Sequence, residues 1–107
     1  MKAGDTKLSV ETERQGDRCA ARVTGDLDHD TAPALRTELE QASSDETVCH
    51  LDLDLSAVTF IDSAALQVFT SIHAALGERG GALHVTEASS VVARILDVTG
   101  FAEVFGT

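Results

Sequence analysis

The sequence predicts an α/β domain, a mixed sheet of about four to five strands with helices packed mainly on one face, in the order β-β-α-β-α-β-α. Three observations carry that prediction. Residues 48–55 alternate strictly, with Cys49, Leu51, Leu53 and Leu55 on one side and His50, Asp52 and Asp54 on the other; this is the pattern of a strand with one covered face. After Ser63 the period changes, and Ala65, Leu66, Phe69, Ile72, Ala75 and Leu76 recur at three- and four-residue steps, as an amphipathic helix requires. Strand-like and helix-like stretches then alternate to the end, which implies right-handed crossovers and parallel pairing in that part of the sheet.

Each element has its own justification. Residues 7–13 form a first strand with Leu8 and Val10 facing in, and 1–6 precede it as a flexible arm. A turn at Gln15, Gly16 and Asp17 leads to a second strand over 18–24, where Cys19, Ala21 and Val23 alternate with Arg22 and Thr24. The two strands make an antiparallel hairpin. Thr31 or Asp30 caps a helix that tolerates Pro33 in its first turn and carries the stripe Ala32, Leu35, Leu39 and Ala42. Ser43, Ser44 and Asp45 end it. After the strand at 48–55 and the helix beyond Ser63, Gly77 and the Gly80-Gly81 turn stop the chain's helical course. Residues 82–86 form a short strand. Ser89 or Ser90 caps a last helix bearing Val91, Val92, Ile95 and Leu96, closed by Gly100. Phe101, Val104 and Phe105 form an apolar tail that docks on the body.

Composition narrows the function. The chain has 107 residues, no internal repeat and no linker, so 1–107 reads as one domain. Eighteen acids against eight Lys and Arg give a net charge of −10, which repels phosphate backbones and anionic membranes and disfavours nucleic acid as a partner. A basic protein partner stays open. No apolar run reaches the ~20 residues of a membrane span, and the N-terminus lacks the apolar core of a signal peptide, so a cytoplasmic location is expected. Cys19 and Cys49 are too few for a disulfide scaffold and read as small apolar residues on strands.

Chemistry in such a fold gathers where strands hand over to helices. Two segments qualify, 25–31 and 60–65. Ser63 is a candidate helix N-cap, its hydroxyl accepting from an amide two or three residues on, worth about 1 kcal/mol. The same place suits a phosphate, because free amides and the helix dipole stabilise an anion. Gly25-Asp-Leu-Asp-His-Asp30 invites a metal reading, but it lacks a second His at ligand spacing and the terminal Glu of a calcium loop. A solvated turn with a capping Asp fits better. Ser63 has no Gly-x-Ser-x-Gly elbow, the four histidines are scattered, and there is neither a P-loop nor a dinucleotide fingerprint. The chain therefore reads as a non-enzyme that needs no cofactor.

Three motifs, in order, resemble those of the STAS domain family, and specifically its stand-alone anti-sigma factor antagonists. They are Gly25-Asp-Leu-Asp-His-Asp-Thr-Ala32, the run Leu53-Asp-Leu-Ser-Ala-Val-Thr-Phe-Ile-Asp-Ser-Ala-Ala-Leu66, and Ile95-Leu-Asp-Val-Thr-Gly-Phe101. The resemblance implies partner switching. An antagonist of this kind binds an anti-sigma factor that is also a serine kinase, is released when phosphorylated, and is restored by a serine phosphatase. By motif position the acceptor is Ser63, with Asp28, His29, Asp62, Ser63, Ala64, Ala65 and Leu66 forming the partner-binding set. Two positions depart from the family pattern. Ala64 stands where Ser or Thr is usual, and Ala65 where Gly is usual, so that a methyl at 65 could hinder a kinase's approach. The same stretch also resembles a sister branch whose members are unphosphorylated adaptor subunits of lipid-transport or other regulatory assemblies.

Overall fold

A computed structural model describes residues 8–106; the expected arm at 1–6 and Lys7 of the first strand lie outside the described residues. β1 (Leu8–Gln15) and β2 (Arg18–Leu27) pair antiparallel, Leu8 opposite Gly25 and Gln15 opposite Arg18. Gly16 turns the hairpin at φ +63, and among the described residues no non-glycine residue has a positive φ. Positive φ at the first loop residue alone matches a type II′ turn, whose twist suits the flanking strands. α1 (Ala32–Ala42) then crosses to β3 (His50–Ile61), and α2 (Ser63–Gly77) to β4 (Ala82–Ala88). Both crossovers join parallel neighbours, giving the four-stranded order β1-β2-β3-β4. α3 (Ser90–Thr99) and α4 (Phe101–Phe105) complete the chain.

One hydrophobic core forms on one face of this sheet. Cys19, Ala21 and Val23 of β2 join Leu51, Leu53 and Leu55 of β3, Leu83 and Val85 of β4, and buried residues from all four helices. The opposite face carries the exposed or half-buried Ala20, Arg22, Asp52 and Asp54, with Arg18 gripping Asp52 through two hydrogen bonds of 3.0 and 2.9 Å. A sheet covered on one side only is what the alternation at 48–55 demanded. The mixed α/β architecture and element order are as expected from the sequence.

The boundaries differ in instructive ways. β2 continues three residues past Thr24 to Leu27, and β3 continues past Leu55 to Ile61. The extension of β3 hides from a period-two reading because the pairing with β2 slips twice. Between the pairs Arg22–Asp54 and Thr24–Ala57, and again between Gly25–Val58 and Asp26–Phe60, β3 supplies one residue more than β2. The buried positions therefore run Leu55, Val58, Ile61 in steps of three, as bulged strands do. Cys49 lies just before β3 rather than on it and is half-buried, whereas Cys19 is buried as expected. Burial raises the Cys19 thiol pKa.

Helices show smaller corrections. In α2 Ala75 is exposed and Val68 takes its place in the core. In α3 Val92 and Leu96 are buried but Val91 is exposed. The apolar tail is a one-turn helix, α4, entered through Gly100 at φ +83; it buries Phe105 and leaves Val104 exposed. Ser89, not Ser90, caps α3, accepting from the Val92 amide at 3.4 Å while donating to the Val58 carbonyl at 2.7 Å. At the entry to β4, Gly81 passes so close to the backbone of Cys49 that any Cβ there would collide with its carbonyl.

Candidate functional site: two loops joined at the start of α2

The β2–α1 and β3–α2 loops meet at the carboxyl ends of β2 and β3. Asp62 joins them. Its backbone N–H donates to the Leu27 carbonyl at 3.0 Å. Its carboxylate accepts from Ala64 N–H at 2.9 Å through Oδ1 and from His29 N–H at 3.1 Å through Oδ2. The first of these contacts makes Asp62 the N-cap of α2.

That assignment corrects the expectation for Ser63. The serine is the first residue inside the helix, not its cap. Asp is as good a cap as Ser, and an extended backbone at Asp62, φ −129 and ψ −174, turns its side chain over the amides. Ser63 is exposed, and its hydroxyl has no side-chain hydrogen bond among the described residues. A nucleophilic oxygen thus stands in solvent at the positive end of a 15-residue helix.

The second loop is organised around Asp28 and Thr31. Asp28 Oδ1 accepts from the amides of Asp30 and Thr31, both at 3.0 Å. Thr31 is buried and is the N-cap residue of α1, but its hydroxyl makes no capping bond; it donates instead to the Asp26 carbonyl at 2.9 Å. Asp26 in turn accepts from the Thr59 hydroxyl at 2.6 Å, a further tie between the two strand ends. The His29 ring is exposed, with Nε2 3.3 Å from Asp30. Among the described residues, no three His, Cys, Asp or Glu side chains come together as metal ligands.

The expected partner-binding set is only partly at the surface. His29 and Ser63 are exposed, while Asp28, Asp62 and Ala64 are half-buried. Ala65 has no exposed surface at all, so it offers nothing to a partner, and its methyl points into the core rather than at an approaching enzyme. Leu66 is largely buried and shows one edge in a groove.

Two apolar grooves flank the exposed face of α2. One runs along α1 and is lined by Pro33, Val68 and Ala64 together with the polar His29, Arg36 and Gln67. The other runs along the α3–α4 junction and is lined by Leu66 and Phe101 together with Ser63, Thr70 and Thr99. Ser63 is among the residues that line the second. These grooves were not anticipated, although the sequence held a signal. From Ser63 to Gly77 α2 contains no Asp, Glu, Lys or Arg, in a chain that is 24% charged. Depletion of charge on an exposed face is the compositional mark of an interface core.

The chain is similar to known proteins in sequence and in fold. The chain is 31% identical over 98 residues to an anti-sigma-B factor antagonist of Listeria monocytogenes, covering 91% of this chain and 85% of that one. It is 29% identical over 93 residues to an anti-sigma F factor antagonist of Paenibacillus polymyxa, covering 87% and 80%. The crystal structure of an anti-sigma factor antagonist from Mycobacterium paratuberculosis superposes with a TM-score of 0.81 at 28% identity, over 98% of this chain and 87% of that one. A family model, that of the STAS domain, matches residues 9–107. With its hairpin, two parallel crossovers and this match over nearly its whole length, the chain belongs to the STAS domain family.

Proposed function

We propose that this protein is an anti-sigma factor antagonist that works by partner switching. Unphosphorylated, it binds an anti-sigma factor that is also a serine kinase; phosphorylation at Ser63 releases it, and a serine phosphatase restores it. The observation that carries this reading is the solvent-facing Ser63 hydroxyl, relieved of capping by Asp62. The names of the similar proteins support the antagonist role.

The physical basis is desolvation. A partner seated over the apolar groove beside Leu66 and Phe101 must cover Ser63. A phosphoserine there carries a charge of about −1.5 to −2, beside Asp62 and in a chain already at −10. Burying that dianion without a dedicated cationic partner is costly. Docking and phosphate are therefore mutually exclusive unless the partner provides the compensating charge.

The experiment pairs Ser63→Asp with Ser63→Ala. Ser63→Asp abolishes binding to the cognate anti-sigma factor, and Ser63→Ala binds but is not released by ATP. Parent-like binding by both variants would remove the switch. The second reading, an unphosphorylated adaptor subunit of a lipid-transport or regulatory assembly, draws on Ala64 and Ala65 in place of the usual Ser/Thr-Gly pair. Incubation with candidate kinases and ATP, read by intact mass, separates the two: an unchanged mass favours the adaptor.

A further inference from the structure

We infer that Asp62 is a positioning residue whose carboxylate makes the β2–α1 loop and the start of α2 into one rigid epitope, and that the partner reads the two loops only when they are so joined. The inference rests on the antagonist reading above and concerns how its binding surface is built.

The geometry separates the two jobs of this carboxylate. Oδ1 accepts from Ala64 N–H within its own helix, and Oδ2 accepts from His29 N–H in the other loop, 33 residues earlier in the chain. A capping side chain needs one acceptor oxygen. The second oxygen is what reaches across. His29 itself contributes only its backbone to this tie, so its exposed ring remains at the surface beside Asp30. The β2–α1 loop borders one apolar groove through His29, and Ser63 borders the other. Asp62 therefore sits between two halves of a surface that a partner must meet together. Prior fixation of such loops lowers the ordering cost of association.

Asn at position 62 divides the functions cleanly. Its carbonyl oxygen retains the cap on Ala64, and Asn ranks with Asp as a capping residue. Its NH2 group faces His29 N–H as donor to donor, so the cross-loop bond cannot form. Asp30→Asn serves as the control for charge, since it removes one exposed carboxylate from the same loop without touching the tie.

The test combines amide hydrogen exchange with binding to the cognate anti-sigma factor. In Asp62→Asn, exchange at His29 N–H rises about tenfold or more while Ala64 and core amides keep their protection. The melting temperature stays near the parent's, affinity falls at least about tenfold, and Asp30→Asn binds within about threefold of the parent. Unchanged His29 exchange, or faster exchange with parent-like affinity, would overturn the inference. So would an equal loss in Asp30→Asn, which would assign the effect to charge. Failure of the parent itself to bind any anti-sigma factor is a different result; it removes the antagonist reading and the positioning role with it.

Discussion

The ring of Phe105 meets that of Phe69 edge to face, with 6.1 Å between centroids. Phe105 also packs against His73 and Phe101, at 5.6 Å in each case. One side chain thus fixes the one-turn α4 to α2, and does so next to the groove that Leu66 and Phe101 line. Phe105→Ala removes a fully buried aromatic and is expected to cost about 3–5 kcal/mol. Urea unfolding measures it. A loss below about 1 kcal/mol would mean that α4 is not anchored this way.

Capping gives a sharper contrast because two adjacent residues are expected to behave differently. Asp62→Ala removes the α2 cap and costs about 1 kcal/mol, within a range of about 0.5–2. Ser63→Ala, at an exposed position with no capping role, stays within about 0.5 kcal/mol of the parent. Thermal denaturation of both variants decides between Asp62 and Ser63 as the cap. A loss of about 1 kcal/mol from Ser63→Ala alone would return that role to the serine.

Acid sensitivity has an identifiable contributor away from the site. Hydrogen bonds from the Arg14 side chain, then from the Thr47 amide and hydroxyl, hold the Asp45 carboxyl well below the usual carboxylate range. A depressed folded-state pKa stabilises the protein above the ordinary value of about 3.9, and that contribution is lost as pH falls further. The stability gap between parent and Asp45→Asn is therefore present at neutral pH and narrows on acidification below about pH 4. Chemical denaturation across that window tests it; a gap that widens with acid has the wrong sign.

Two glycines make opposite predictions. Gly81→Ala forces a methyl against the carbonyl of Cys49 and is expected to cost about 1–3 kcal/mol through backbone displacement. Gly77 closes α2 with open space around it. Gly77→Ala therefore gains up to about 1 kcal/mol from helix propensity. Melting curves of the pair check both signs.

What could be read from the sequence follows from which forces act locally. The alternation through Leu51, Leu53 and Leu55, the helical stripe through Leu66, Phe69 and Ile72, and the glycine stops are one-dimensional signatures of burial, and they were legible. The end of β3 was not, because the register slips replace period two by steps of three, which look like a loop; the end of β2 was not, because Gly25 and Asp26 are turn-type residues although period two runs on to Leu27. Ser63 was legible as a special hydroxyl at a helix start. Its relation to Asp62 was not, since either residue type caps well and only the backbone angles at Asp62 decide. The link from Asp62 to His29 spans a tertiary fold and has no local signature. Ala65 shows the limit of reading a motif as a surface, because every residue of a helix start cannot face outward.

The slipped pairing of β3 has a consequence for changes in chain length. Because each slip inverts the strand's parity and there are two, Ile61 ends on the same side as Leu55, and the serine two positions later keeps its outward aim. Removing one residue at either slip takes away one inversion together with one step of the chain, so Ile61 stays turned to the core and Asp62 and Ser63 keep their facing. A deletion within 51–53, where the pairing with both neighbours is regular, has no slip to absorb it and is expected to be harsher than one at a slip.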